Sequence, residues 1–464
     1  AVDASSRGYR VLLVEQHDFA KATSSRSTKL VHGGVRYLQQ GDVSMVVEAL
    51  HERGRLWRNA PHLVKDMRFI IGNYRWWERP FYTIGLCCYD LLAGRLGLGR
   101  SLPLSKKQTL KELPGLLHDH LRGGVVYHDG QFDDSRMAIT LMQSAHDHGA
   151  ICINYMKVTS LIKNDSGKIC GAALEDTLEG GTYEVNVKGV VNATGVYVDD
   201  IMQMDKPESR KKVRPSQGVH IVVDAAFLGG NSALMIPKTR DGRVLFGVPW
   251  HGKAVLGTTD TPLNENSLEP KPLDEEIDFI LDQAGQYLTR KPKRSDVLSV
   301  FAGLRPLAAP THSDSKKTKE ISRNHKIYVS DSGMLTITGG KWTTYRQMAE
   351  EAVNKVAALI GLEPRACVTR KMQLHGYWEE VDRSVWDYVY GSDADQIAAL
   401  IENDASLGEL LHIGYTFRVA HVIWAVREEM AQTVEDVLAR RVRALFMDAR
   451  AAMEMAPRVA AIMA

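Results

Sequence analysis

Thr23-Ser-Ser-Arg-Ser-Thr-Lys-Leu-Val-His-Gly-Gly-Val-Arg-Tyr-Leu38 is the stretch that decides how this chain is read. It holds hydroxyls, two glycines, a histidine and two arginines, and few side chains that build a core. Just upstream, Val11-Leu-Leu-Val14 reads as a buried strand that ends in Glu15. A carboxylate at the end of such a strand accepts hydrogen bonds from two vicinal ribose hydroxyls, as in dinucleotide-binding folds. The hydroxyl- and glycine-rich loop that follows lets backbone approach a flat cofactor closely. The Gly-x-Gly-x-x-Gly turn of such a fold belongs before the helix that leads into Arg7-Gly8. The chain starts at Ala1-Val-Asp-Ala-Ser-Ser, which reads as the middle of that helix. The expectation is therefore that a first strand and its glycine turn have been lost ahead of Ala1.

Working outward, Asp42 to Asn59 is expected to be helical, with Asp42 as cap, Val43, Val46, Val47 and Leu50 on one stripe, and Pro61 as the stop. Asp133 to His148 repeats the helical period and runs through Gly149 into a strand over Ile151 to Val158, a βαβ arrangement. Leu161 to Val187 alternates as a small antiparallel meander. Gly189-Val-Val-Asn-Ala-Thr-Gly195 is a buried strand opening into a turn of small residues. Strands rich in Val and Ile, among them His220-Ile-Val-Val223 and Arg243-Val-Leu-Phe246, suit a mixed sheet. Lys326 to Val329 and Leu335 to Thr338 pair as a hairpin that ends in Gly339-Gly340, before a helix from Thr344 to Ile360. Thr433 to Ala464 reads as stacked helices, and the chain reads as cut at this end too.

The loop, with Ser-Thr-Lys-Leu and His-Gly-Gly-Val-Arg-Tyr in order, resembles the FAD-dependent glycerol-3-phosphate dehydrogenase family. So do Pro249-Trp250 with Gly257-Thr-Thr-Asp260, Gly303-Leu-Arg-Pro306, and Gly339 to Arg346. Trp342 departs from the smaller apolar residue frequent after the lysine. The resemblance implies an α/β protein: a doubly wound FAD-binding domain, Rossmann-like and of the glutathione-reductase and amino-acid-oxidase type, over residues 1–60, 131–210 and 322–362. A mixed-sheet substrate domain over 61–130 and 211–321 and a C-terminal helical domain over 365–464 complete it.

The same resemblance implies FAD held by Glu15, Thr23, Ser24, Ser25, Lys29, Leu30, His32, Gly33, Gly34, Gly195, Gly303, Gly340 and Thr343, with Val158 near the adenine. The Gly-Gly turn into a helix has a physical purpose here. A reduced flavin gathers negative charge, and the unpaired N–H groups of a helix start stabilise it. Four cations next to glycines or strand ends, Arg36, Arg305, Arg323 and Lys341, match positions that line the family's substrate pocket, with Tyr37, His220 and Thr344 beside them. Guanidinium forks and an ammonium suit a doubly charged phosphate. Arg305 is expected to stabilise the developing alkoxide, and His32 to contact the flavin. His220 reads either as the general base or as a hydrogen-bonded pocket wall.

Composition bounds these readings. The chain has 464 residues, 44% hydrophobic and 25% charged, and a net charge of +2, which argues against bulk attraction to nucleic acid. Its five cysteines lack metal-ligand spacing and read as reduced intracellular thiols, with no metal expected. Cys87-Cys88 is expected to be buried apolar filler rather than a redox pair. No signal peptide is visible, and no apolar run reaches the roughly 18 residues that cross a bilayer. Arg75-Trp-Trp-Glu-Arg79, ahead of the apolar Phe81 to Leu98, suits a membrane interface or a segment that covers the substrate-domain core. The implied function is oxidation of glycerol 3-phosphate to dihydroxyacetone phosphate, with electrons passed to a membrane quinone by a cytoplasmic, peripherally bound enzyme, and a homodimer is one expectation for its assembly. Rival readings are a dioxygen-using oxidase, marked by a large insertion that this chain lacks, an amino-acid or sarcosine-type oxidase, and an FAD-free interaction module.

Overall fold

The protein is described by a computed structural model, covering residues 1–35, 38, 41–308 and 325–464. The elements that carry the site are, in chain order, β1 (Leu12–Val14), α1 (Val43–Asn59), β2 (Val64–Asn73), α2 (Glu78–Ala93), β3 (Gly123–Phe132), α3 (Asp134–Asp147), β4 (Ile151–Ile153), β5 (Val191–Asn192), β6 (Val213–Asp224), β7 (Lys253–Gly257), β8 (Ser299–Ala308), β9 (Leu335–Thr338) and α4 (Tyr345–Leu359).

Two short parallel pairs, β1 with β4 and β5 with β9, carry the cofactor-type segments. Among the described residues they lie in separate sheets. Helix α3 connects β3 to β4 and is capped by Asp133, whose carboxylate accepts from the backbone N–H groups of Ser135 and Arg136. It ends at Gly149, whose φ of 81° suits a residue without a side chain. The strand expected over Ile151 to Val158 divides, because Tyr155 turns at φ 56° and a separate meander begins at Met156.

A ten-stranded mixed sheet forms the other layer. Near one end of its strand order lies β6, antiparallel to both β7 and β8, with His220 opposite Gly257 on one side and Phe301 on the other. Alternation along β6 gives the sheet two apolar faces. Val219, Ile221 and Val223 pack with Leu256 and Ile280 on one side. Val222 packs with Trp250, Phe301 and the C-terminal Phe446 on the other. His220 shares this second face and stacks on Phe301, with ring centroids 4.9 Å apart.

Helix α2 differs from expectation. Leu86, Tyr89 and Ala93 are buried in a cluster with Val46, Leu50 and Tyr127, yet Cys87 and Cys88, expected inside, are exposed. The helix is apolar on both sides, so position within it, not residue type, decides burial.

The C-terminal helices meet the cofactor-type segments through buried charge. Asp134 accepts from Lys29 Nζ at 2.8 Å, from Arg443 at 2.9 Å and from both the N–H and the hydroxyl of Ser27. Ser25 carbonyl accepts from the same lysine and the same arginine, at 2.7 and 3.0 Å. Asp18 is held by Arg440 and Arg441, and Arg136 by Glu429, all nearly without exposure. Breaking a buried pair leaves a charge without its partner and costs about 3–5 kcal/mol. Asp134→Ala is therefore expected to lower the unfolding free energy by about 3–5 kcal/mol, measured by denaturant titration. A loss below about 1 kcal/mol would mean that this cluster behaves like a solvated surface pair.

Candidate active site

Loop Thr23–Gly34 runs across the second face of the sheet and is tied down from three sides. Thr23 Oγ1 donates to the Leu304 carbonyl on β8 at 2.7 Å. Trp342 Nε1 donates to the Ser24 carbonyl at 3.0 Å, and the His32 N–H donates to Thr343 Oγ1 at 3.1 Å. The short strand Leu30–Val31 pairs with β3. At Gly303 an added Cβ would lie 2.9 Å from the Arg26 backbone, so this glycine is what lets the loop approach β8. The loop, the Gly303–Arg305 segment and the Gly339–Thr344 turn therefore meet at one place.

Arg305 and His220 lie on the face that the loop covers. The alternation that pairs Ser216 with Arg305, Gly218 with Gly303 and His220 with Phe301 sets all six on one side of the sheet. The guanidinium of Arg305 lies over Gly218, where a Cβ would come within 2.3 Å of it. It donates to Thr258 Oγ1 and the Thr259 carbonyl at 3.0 Å, and to Asp260 at 3.4 Å. Glu276 accepts in turn from Thr259, Thr261 and Gln217, which stiffens the strand edge behind the arginine.

His220 is 2% exposed, and its Nε2 hydrogen-bonds Thr28 Oγ1 at 2.9 Å. Its Nδ1 is buried without a partner among the described residues. Burial holds the imidazole well below its usual range, and the positive charges of Lys29 and Arg305 add to this. His220 is therefore neutral at neutral pH, and its surroundings disfavour the protonated form. Thr28 is itself half-buried on the loop.

Lys29 has a different setting from that of its neighbours in the loop. Its ammonium is spent on Asp134 and Ser25 and lies over the rings of Trp250, Phe301 and Phe446 at 4.8–5.4 Å. Burial brings its pKa down to about 8 despite the pull of Asp134. Leu30 is buried, and Gly33 packs against Leu50 and Tyr89. Lys341 Nζ reaches Met45 Sδ on α1 at 3.0 Å, and Thr344 Oγ1 donates to the Lys341 carbonyl. Arg36, Tyr37 and Arg323 lie outside the described residues.

The residues present fit a flavin dinucleotide. Gly339 and Gly340 both sit at φ 78°, and at Gly340 a Cβ would strike Met348 Sδ at 2.4 Å. The turn and the helix that follow have no side-chain cap, although the Thr344 N–H donates to the Lys341 carbonyl and the Tyr345 N–H to that of Trp342. Ser25 Oγ and Thr338 Oγ1 are buried hydroxyls without partners among the described residues. The turn at Gly195, with φ 62°, packs against β8 and β9. Glu15, at the end of β1, is half-buried, accepts from the His17 N–H at 3.1 Å, and is pushed up to about 7 by burial. Val158 lies on the adjacent strand, which joins β1 where the Met156 N–H donates to the Glu15 carbonyl.

Thr28, Asp260, Thr258 and Asp134 were not singled out from sequence. Thr28 lies within Ser-Thr-Lys-Leu, and Thr258 and Asp260 within Gly257-Thr-Thr-Asp260, which are the available signals for those three. Nothing in the Asp133-Asp134 pair distinguishes a buried charge hub from ordinary helix-capping acids.

Residues 1–346 match the family described as FAD dependent oxidoreductase, and residues 334–464 match the C-terminal domain of alpha-glycerophosphate oxidase. The chain is 40% identical, over its whole length, to a mitochondrial glycerol-3-phosphate dehydrogenase of Arabidopsis thaliana and to one of Rattus norvegicus, covering 80% and 68% of them. The crystal structure of the glycerol-3-phosphate dehydrogenase from Bacillus halodurans complexed with FAD superimposes with a TM-score of 0.80 at 30% identity, covering 100% of this chain and 86% of that one. The chain therefore belongs to the FAD-dependent glycerol-3-phosphate dehydrogenase family.

Proposed function

We propose that this protein oxidises glycerol 3-phosphate at its secondary alcohol to dihydroxyacetone phosphate with bound FAD, and that the electrons leave to a quinone in a membrane that it binds peripherally. The observation that carries this reading is the meeting of loop Thr23–Gly34, the Gly303–Arg305 segment and the Gly339–Thr344 turn over the sheet face of His220 and Arg305. What FAD supplies when bound is a two-electron acceptor for the hydrogen on the alcohol carbon. Glu15 would hold the adenosine ribose, with Val158 beside the adenine. The Thr23–Gly34 loop, Gly195, Gly303, Gly340 and Thr343 would hold the remainder, and the uncapped helix start would face the part that becomes negative.

The chain's own residues then have separate tasks. Arg305, fixed by Thr258, Thr259 and Asp260, orients the hydroxyl oxygen and stabilises the alkoxide as it forms. His220 accepts the proton, and its bond to Thr28 offers the route by which the proton reaches a buried imidazole. Lys341, with Arg36, Arg323, Tyr37 and Thr344, binds the phosphate. The quinone assignment is supported by an exposed apolar helix face. Stoichiometric hydrogen peroxide in air, with no turnover of a quinone, would contradict that part.

Arg305→Lys keeps the charge but loses the planar fork, so flavin reduction by glycerol 3-phosphate should slow about 10- to 100-fold. His220→Ala should slow it by about 10²–10⁴ with little change in substrate binding, and Thr28→Val should share most of that loss. Single-turnover absorbance measures all three, and unaltered rates in Arg305→Lys and His220→Ala together would sink this site.

Lys341→Ala should raise the KM for glycerol 3-phosphate about 10-fold or more while leaving the weak reaction with glycerol unchanged. Equal effects on both substrates would move the lysine away from the phosphate.

Glu15 gives a pH signature. Ribose hydroxyls donate to the carboxylate, so binding favours the ionised form, and below about 7 the free protein must first give up a proton. Affinity for FAD should therefore fall as the pH drops through 7, and Glu15→Gln should flatten the profile. Quenching of FAD fluorescence at pH 6 and pH 8 tests this, and an identical slope in both proteins would clear Glu15 of that role.

A further inference from the structure

At the seam between the ten-stranded sheet and the C-terminal region, a group of donors takes no part in the site described above. Lys65 lies on β2 opposite Gln131 of β3. Gln131 Nε2 donates to the Pro249 carbonyl at 2.6 Å, which holds the chain two residues before His251 beside the lysine. The His251 ring packs on Trp386 and Tyr388, with centroids 4.5 and 6.1 Å away. Arg383 reaches the same place from the C-terminal side. Its Nη2 donates to the carbonyls of Pro61 and Val64, the second being the peptide that leads into Lys65, and its guanidinium lies 5.9 Å from the Tyr388 ring.

Two cations are thereby set side by side without a counter-charge. Among the described residues the Lys65 ammonium has neither a hydrogen bond nor an ion pair, and Arg383 bonds only those two carbonyls. The acids nearest in sequence or space are all engaged elsewhere. Asp66 is bound to His128, Asp387 to His421, and Asp382 accepts from the Ser384 N–H. Asp133, 3.5 Å from His251, serves Arg443 and the first N–H groups of α3. Burial, with the Arg383 charge second, brings Lys65 down to about 8. Taking like charges out of water beside each other is costly unless an opposite charge meets them. The Tyr388 hydroxyl, kept protonated by burial, adds a donor to the group.

We propose that Lys65, Arg383 and Tyr388 form a binding site for a small oxyanion of the phosphate type, whose oxygens the ammonium and the guanidinium share, with the phenol as a third donor. All three groups donate, which selects an anion over a cation or a neutral ligand. Three strands lie between β2 and β6, which puts this site roughly 19 Å across the sheet from Arg305 and His220. It is separate from the catalytic site and does not rest on the reaction proposed above. Lys65 belongs to the sheet and Arg383 and Tyr388 to the C-terminal region, so a bound anion ties one to the other.

Acetylation of Lys65 in the FAD-loaded protein by an N-hydroxysuccinimide ester, followed by peptide mass spectrometry at pH 8, tests the proposal. A bound anion covers the amine and raises its hold on a proton, and both slow the reaction. Inorganic phosphate should therefore slow acetylation of Lys65 saturably, about threefold or more relative to chloride at the same ionic strength. Arg383→Gln should weaken that protection about tenfold. Should that variant fail to fold, Tyr388→Phe, which removes one oxygen, should weaken it about two- to tenfold. Lys341→Ala, altered in the catalytic site, should keep it. Equal acetylation in phosphate and chloride overturns the proposal, as does protection that persists unchanged in Arg383→Gln or Tyr388→Phe. Protection that disappears in Lys341→Ala would place the phosphate in the catalytic site and overturn it too.

Discussion

Asp134 is the point on which this structure turns. One buried carboxylate receives Lys29 from the cofactor-type loop, Arg443 from the C-terminal region, and both donors of Ser27. It does so from the first turn of α3, where a negative charge is favoured by the unpaired N–H groups of the helix start. Both cations pay a conformational cost: Lys29 sits at φ 63° and Arg443 at φ 67°, a region that side chains adopt reluctantly. Such backbone persists only where its surroundings over-determine it. Here the charge pairs do so, with the rings of Trp250, Phe301 and Phe446 closed around the lysine.

The site inherits its precision from that cluster. Fixing Ser25, Ser27 and Lys29 fixes Thr28 between them, and Thr28 is what His220 touches. Phe301, under Lys29, is also the ring on which His220 stacks. On the other side, Trp342 and Thr343 bond the same loop, so the turn before α4 cannot drift from the sheet. A reaction that takes a proton from a hydroxyl and a hydride from the carbon that bears it needs its groups held to within fractions of an ångström. The loop is held by its ends and its middle.

Much of this was legible in the sequence, and the reasons are local. Asp42 as a cap, Pro61 as a stop, the hairpin from Lys326 to Thr338 and the helix after Gly340 each depend on a few neighbouring residues. The loop and the Gly-Gly turn were readable because close backbone approach demands glycine at particular places. The charge hub was not, because whether Asp134 is buried depends on residues three hundred positions away. Helix α2 misled for the opposite reason: an apolar helix reads as core, and only the packed fold distinguishes the face with Leu86 from the face with Cys87 and Cys88. Lys29 belongs with these, since a lysine in a polar loop gives no sign that three aromatic rings will enclose it.

The central claim is that the loop, the turn and the face of β6 and β8 form one site where glycerol 3-phosphate surrenders hydrogen to FAD. Anaerobic stopped-flow absorbance of the FAD-loaded protein tests it most directly. The account predicts bleaching of the flavin band on mixing with glycerol 3-phosphate, at a rate that saturates with its concentration, and far slower bleaching with glycerol. A flavin that stays oxidised in the presence of glycerol 3-phosphate would contradict it.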